Sequence, residues 1–306
     1  MPQYFDIIGD IHGHADALQA LLQKLGYAQI NGTYQHAEHK VIFLGDFIDR
    51  GLQQREVIEL VKPMIEQGFA LSVIGNHEFN AICYATIGPD GKPLRTRSNK
   101  NTEQHQAFLD AYPDESERNQ LIEWFKTLPM YIELSEIRVI HASWNNNALD
   151  VLSPLLNEQR CLLDEHYATC SDKGSDAYNA LETILKGPEV QLPEGVSFND
   201  KDKNPRDQAR LKWWHPEHFD VTDRLHLGDD LTNAHKLDQL QIDSDHSYPA
   251  DHKPLFVGHY WRDGEPAPLS DNQNSACLDY SVAENGKLVA YKWRGEEKLE
   301  RSRFEW

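Results

Sequence analysis

Two hydrophobic rhythms alternate along the first third of the chain. Tyr4–Ile8 is a short apolar run with one polar residue, Asp6, inside it, which predicts a strand. Within residues 15–25, Leu18, Leu21, Leu22 and Leu25 fall at helical spacing, and Gly26 stops the run. Residues 41–44 predict a second strand. Val57, Ile58, Leu60, Val61, Met64 and Ile65 mark a second helix closed by Gly68, and residues 69–74 a third strand. This βαβαβ order belongs to a sheet covered by helices. Residues 99–126 read as helical, with Leu121, Ile122, Trp124 and Phe125 as the apolar stripe. Residues 130–134 and 137–140 read as a hairpin around Ser135-Glu136. From about 147 to 253 the rhythm breaks into helical fragments (148–156, 178–185) and polar loops such as 199–204. That stretch reads as an insertion or cap inside one domain spanning 1–306. Strands return at 276–280 and 288–293, joined across Glu284-Asn285-Gly286.

The polar interruptions are more telling than the apolar runs. Asp10 and His12 follow the first strand, Asp46 the second, and Asn76 and His77 the third. His141 follows residues 137–140, and His259 follows Leu255–Val257. Open α/β sheets bind ligands beyond the carboxyl ends of their strands, so five loops converge on one crevice.

Composition narrows the chemistry. The chain has 306 residues, 40% of them apolar, and a formal net charge of −19. Such acidity argues against nucleic acid or an anionic membrane as partner. It leaves room for an anionic substrate, because bound dications would invert the local field. Cys83, Cys161, Cys170 and Cys277 are widely spaced without a CxxC pair, so neither a disulfide framework nor a zinc knuckle is expected. No signal-peptide pattern and no membrane-length apolar run are visible, and the expectation is a cytoplasmic monomer.

Asp10, His12, Asp46, Asn76, His141 and His259 form a ligand set for two adjacent divalent metals. Asp46 is the bridging candidate, since its two oxygens can hold two cations. A mixed nitrogen and oxygen set without thiolate suits Mn²⁺ first, with Fe²⁺, Zn²⁺, Ni²⁺ and Co²⁺ as alternatives. Two-metal sites clamp phosphoryl oxygens and lower the pKa of a bound water, which here is the expected nucleophile on phosphorus. His77 is the candidate general acid, Asp49 its orienting carboxylate, and Arg50 a planar grip on phosphoryl oxygens. Any one element alone has a bland reading: Gly75-Asn76 as a turn, His141 as a core histidine, His259 as the end of a strand. Their order and common placement after strands argue for the site.

The runs Gly9-Asp10-Ile11-His12-Gly13, Gly45-Asp46-Phe47-Ile48-Asp49-Arg50-Gly51 and Gly75-Asn76-His77-Glu78 resemble those of the calcineurin-like metallophosphoesterase superfamily. In their fused form they look closest to serine/threonine phosphoprotein phosphatases and bacterial symmetrical diadenosine tetraphosphatases. The resemblance implies a four-layer αββα sandwich with the dimetal site at one edge. It implies that Asp10, His12 and Asp46 hold the first metal, and Asp46, Asn76, His141 and His259 the second. It also implies a second phosphate-contacting arginine between the last two histidines; Arg210 is the best match, with Arg206 near enough to compete. Trp261 stands where many members carry a further histidine, and His141-Ala142-Ser143-Trp144 lacks the glycine often found there. Trp144 and Trp261 are expected to form an aromatic rim, while adjacent Trp213 and Trp214 are expected to be packing. Glu78 is expected to tie neighbouring loops together without touching substrate.

The function expected on this resemblance is hydrolysis of phosphomonoesters, on a phosphorylated protein or peptide or a small phosphoester. The alternative is symmetrical splitting of a dinucleoside tetraphosphate, with Arg95, Arg97 and Lys100 offered for the extra phosphates. A third reading is a binding protein on a silent scaffold, which the intact His77, Asp49 and Arg50 argue against.

Overall fold

The computed structural model describes residues 4–199, 203–215, 219–242, 246–269 and 273–306. Of the polar loop expected at 199–204, residues 200–202 lie outside the described residues. Strand alternation sorts the side chains of Tyr4–Ile8 between two faces. Phe5 and Ile7 join one apolar cluster and Ile8 another. The neighbouring strand His39–Phe43 repeats the split. Ile42 lies with Phe5 and Ile7, whereas Val41 and Phe43 lie with Ile8.

The first cluster lies between two sheets. One sheet has five strands in the order Phe304–Glu305, Ala290–Trp293, Tyr4–Ile8, His39–Phe43, Ala70–Ser72. The last three run parallel, and Ala290–Trp293 is antiparallel to both its neighbours. The other sheet has the order Ser275–Cys277, Leu255–Val257, Arg138–Ile140, Tyr131–Glu133. It contributes Val139, Phe256 and Ala276 to the shared interior. Helices Ala15–Lys24 and Gln54–Glu66 cover the far side of the first sheet. Asn146–Leu152 and Asp176–Lys186 cover the second, where Ala148, Leu149 and Ile184 share an apolar cluster with Leu255 and Val257. The layers are therefore helix, sheet, sheet, helix, as the αββα expectation requires. A smaller sheet, Leu225–His226, Gln208–Leu211 and Glu189–Gln191, sits over this body with its own apolar cluster of Leu192, Val196, Leu211 and Leu237. Trp213 ties it down by donating its indole N–H to the Tyr260 hydroxyl at 2.8 Å, one residue from His259.

An unexpected hairpin pairs Ala28–Ile30 with Thr33–Gln35, the expected strands 276–280 and 288–293 each divide in two, at Leu278 and Val289, and two helices depart from the expected pattern. The helix over 99–126 is two helices, Asn99–Ala111 and Glu115–Phe125. Pro113 cannot continue the first, and the Asp114 carboxylate caps the second by accepting the Glu117 N–H at 2.8 Å. The run after Gly75, expected only as a loop, opens the helix Asn76–Ala85. Glycine at its N-cap supplies no side-chain signal of the start.

Phe256 is fully buried between the sheets, with its ring centroid 5.1 Å from that of Tyr291. Phe256→Ala is expected to lower the unfolding free energy by about 3–5 kcal/mol, read as a lower urea midpoint at unchanged slope.

Candidate metal centre

The five loops meet beyond the carboxyl ends of their strands, and the backbone itself fastens them. The N–H groups of Ile11 and His12 both donate to the Asp46 carbonyl, at 3.1 and 2.9 Å, and Gly258 donates to the His141 carbonyl at 2.8 Å. The crowding explains why glycine precedes the polar residue. A Cβ on Gly75 would lie 2.1 Å from Asp46 Oδ1, and one on Gly258 2.0 Å from Asp10 Oδ1. The turns are tight enough that His12, Asp46, Asp49, Arg50, His259 and Trp261 all have left-handed backbones, with φ from 40° at Trp261 to 70° at Arg50 and His259. Such conformations cost about 1–3 kcal/mol each and persist only where the surroundings impose them.

Asp46 lies at the centre, 2% exposed. Its Oδ2 faces His12 Nε2 at 3.6 Å and His141 Nε2 at 3.5 Å, and its Oδ1 accepts the His77 backbone N–H at 2.9 Å. The Nδ1 of His12 sits 3.0 Å from the Ile48 carbonyl, and that of His141 2.7 Å from the Leu44 carbonyl. A carbonyl only accepts, so each ring commits its Nδ1 hydrogen there and turns an Nε2 lone pair toward the carboxylate. Lone pairs facing a carboxylate require a proton or a cation between them. Burial opposes a proton on His141, but the Asp46 carboxylate outweighs it and raises the imidazole to about 10. A divalent cation meets the same demand without the proton.

The remaining donors fit that reading. Asn76 Oδ1 lies 2.8 Å from His259 Nδ1 and 3.2 Å from His141 Nε2. Asp10 Oδ2 accepts the His259 backbone N–H at 3.0 Å. Asp10 Oδ1 and His259 Nε2 are buried without a hydrogen-bond partner, an arrangement that costs free energy unless a ligand satisfies them. Burial, then Asp279 and Asp46, push the Asp10 carboxyl well up. Two groups bring ligand atoms within 4.8 Å of one another: His12, Asp46 and His77, and Asp46, His141 and His259. Both share Asp46, so these residues could hold two cations side by side; Asp10, expected on the first metal, falls in neither group, and His77, expected as proton donor, falls in the first. Behind it, the Glu78 carboxylate accepts from Asp46, Phe47 and Gly75 N–H at 2.8, 2.8 and 3.0 Å, tying two loops together as expected. Burial and Asp46 push Glu78 up to about 7.

Beside the centre lies a cavity of about 390 Å³ lined by Arg50, Arg210, His226, His259, Tyr260 and Trp261. Arg50 stacks over the Trp261 ring at 5.0 Å. Strand register puts Arg210 between His226 and Glu189, and its guanidinium reaches Glu189 at 3.5 Å. Arg206 lies exposed in another hairpin, whereas Arg210 lines this cavity with Arg50. Burial, then Lys212, Arg210 and Arg262, hold His226 down to about 3, a sign of concentrated positive charge in an acidic chain.

Several expectations need correction. Trp144 does not share a rim with Trp261. It is buried in a T-shaped contact with Tyr131 and beneath Arg138, and lines a different cavity with Tyr248 and His252. Trp213 and Trp214 are packing, as expected. Arg95 bonds to Asn80, Asn101 and Gln104, and Arg97 to the Tyr84 carbonyl, so both are engaged within the fold. His105 is absent from every sequence motif, yet its Nδ1 lies 2.8 Å from Asp49 Oδ1, while His77 Nδ1 lies 2.6 Å from Asp49 Oδ2. Its one signal is a place on the same helix face as Phe108, three residues on.

The profile of the calcineurin-like phosphoesterase family matches residues 4–259. The asymmetrical bis(5'-nucleosyl)-tetraphosphatase PrpE of Oceanobacillus iheyensis is 35% identical over 138 residues, covering 45% of this chain and 54% of that protein. Its namesake in Halalkalibacterium halodurans is 37% identical over 141 residues, covering 44% and 54%. The chain thus spans about half the length of the curated relatives it matches. A solved serine/threonine protein phosphatase from Saccharomyces cerevisiae superposes with a TM-score of 0.53 at 15% identity, over 99% of this chain and 78% of that one, a likeness of fold alone. These matches overturn the branch expected from the motifs. The relatives are asymmetrical tetraphosphatases, not symmetrical ones or protein phosphatases. The motifs mislead because they carry metal and phosphoryl chemistry, which the branches share. No helix among the described residues is long and apolar enough to cross a membrane.

Gly258→Ala puts a methyl group onto Asp10 Oδ1. It is expected to weaken metal binding about 10–100-fold, read by titration with Mn²⁺ against the unsubstituted protein.

Proposed function

We propose, from the premise that the chain belongs to the calcineurin-like phosphoesterase family, that it is a two-metal hydrolase of dinucleoside tetraphosphates that cuts the phosphate chain off centre. The observation that carries this reading is the likeness to the asymmetrical tetraphosphatases, at 35% and 37% identity. The cationic, aromatic cavity beside the centre supports it, because a bridged polyphosphate needs charge beyond the scissile group and a flat surface near it.

In this reading Asp10, His12 and Asp46 hold one cation, and Asp46, Asn76, His141 and His259 the other, with Mn²⁺ the first choice for both positions. When bound, the cations supply Lewis acidity at the phosphoryl oxygens and an acidified water. Arg50 and Arg210 hold the non-bridging oxygens of the phosphate chain from the cavity side. Arg50 lies over the Trp261 ring at 5.0 Å, and in this reading the same indole offers a flat surface near the phosphate chain. Attack forms one P–O bond and breaks the bridging P–O bond. The proton for the departing oxygen comes from His77 Nε2. Asp49 holds the opposite edge of that ring, and with Asp46 it raises the imidazole against the pull of burial. Off-centre cleavage of a four-phosphate bridge yields one nucleoside triphosphate and one nucleoside monophosphate.

Incubation of the Mn²⁺-loaded protein with diadenosine tetraphosphate, read by ion-exchange chromatography, is expected to give ATP and AMP in equal amounts. Chelation should abolish turnover. Two molecules of ADP, or no turnover alongside rapid hydrolysis of a phosphopeptide, would overturn the reading.

A further inference from the structure

We infer that His105 is a positioning residue for proton transfer: it holds Asp49 in the one orientation that keeps His77 aligned on the departing oxygen. The inference rests on the reading of His77 as the proton donor.

Asp49 is 2% exposed, and each of its carboxylate oxygens meets a different imidazole. Oδ2 accepts from His77 Nδ1 at 2.6 Å and Oδ1 from His105 Nδ1 at 2.8 Å. Burial works to raise the Asp49 carboxyl, yet the bonds from His105 and His77 and their charge bring it down to about 2. An ionised carboxylate only accepts, so both rings donate. A carboxylate with one partner turns easily, because its terminal torsion is broad. A second donor on the opposite oxygen removes that freedom and fixes the plane in which His77 is held. The backbone of Asp49 is immobilised as well. Its N–H donates to Gln54 Oε1 at 2.8 Å, and Gln54 Nε2 donates to the carbonyls of Asp49 and Gly51 at 3.2 and 2.6 Å.

His105 is itself anchored. It lies on the helix Asn99–Ala111, stacks on Phe108 with centroids 4.8 Å apart, and leans on Tyr84 at 5.3 Å. It is 6% exposed and acts on His77 only through Asp49. A histidine serving packing alone would need any acceptor. This one takes the Asp49 oxygen that His77 leaves open, so its loss changes the freedom of the proton donor more than the stability of the helix.

The test is a leaving-group comparison on Mn²⁺-loaded protein, with phenyl phosphate, whose alkoxide-like product needs a proton, against 2,4-dinitrophenyl phosphate, whose product does not. His105→Leu is expected to lower kcat on phenyl phosphate roughly tenfold at unchanged KM, and on the dinitrophenyl ester less than about twofold. His105→Asn returns an N–H donor near the place of Nδ1 and is expected to restore phenyl phosphate turnover to within about threefold. The ratio of the two rates is taken within one preparation, so a partly unfolded fraction cancels. Equal loss on both esters by His105→Leu, or no recovery in His105→Asn, would overturn the proposal. His77→Ala separates the two levels. If it shows the leaving-group dependence and His105→Leu does not, only the positioning role fails. If His77→Ala shows none, the proton-donor reading fails and the proposal with it.

Discussion

Everything around this centre follows from the burial of one carboxylate. Asp46 lies almost out of reach of water, and an isolated ion there would be prohibitively costly. The fold answers with imidazoles on two sides and the His77 backbone N–H on a third. Each imidazole is in turn fixed by a carbonyl at the end of a strand or in a strand-end loop. The loop geometry, the left-handed backbones and the glycines that admit close approach all serve to deliver these groups to one point. The sandwich supplies the rigid strand ends from which five such loops can start. It carries the fold and the donor set of a metal-dependent phosphoesterase.

Charge tells the same story on a larger scale. The chain is strongly acidic, yet the cavity beside the centre gathers Arg50 and Arg210, with Lys212 and Arg262 acting on His226 nearby. Two arginines thus face one cavity next to the buried acidic groups of the centre. Four of the six residues lining that cavity, Arg50, His259, Tyr260 and Trp261, belong to the body, and Arg210 and His226 belong to the small outer sheet. Trp213 and Tyr260 bolt the two together next to His259.

The sandwich was legible because strand alternation and helical spacing are written into Phe5, Ile7, Ile8, Leu18, Leu21 and Leu22. The convergence of Asp10, His12, Asp46, Asn76, His141 and His259 was legible because each follows an apolar strand, and a two-cation centre restricts the residue types that can serve. Arg210 needed the family resemblance, since nothing in its own surroundings marks it. His105 was illegible: it lies on a helix without a motif, and its meaning depends on Asp49, 56 positions away. The branch was illegible for a deeper reason. The motif residues serve the metals and the phosphoryl group, which the branches share, whereas preference for one phosphoester over another resides in cavity walls built by packing.

The hydrogen bond from the His259 backbone to Asp10 joins residues 249 apart. Together with the shared role of Asp46, it makes the centre a property of the whole chain. On a ribosome, the segment carrying Asp10, His12 and Asp46 emerges long before the strand that delivers His259. The nascent protein can build its first sheet while the second half of the donor set is still unmade. The complete centre therefore arises only once the strand before His259 has been made, and until then the growing polypeptide carries half a donor set.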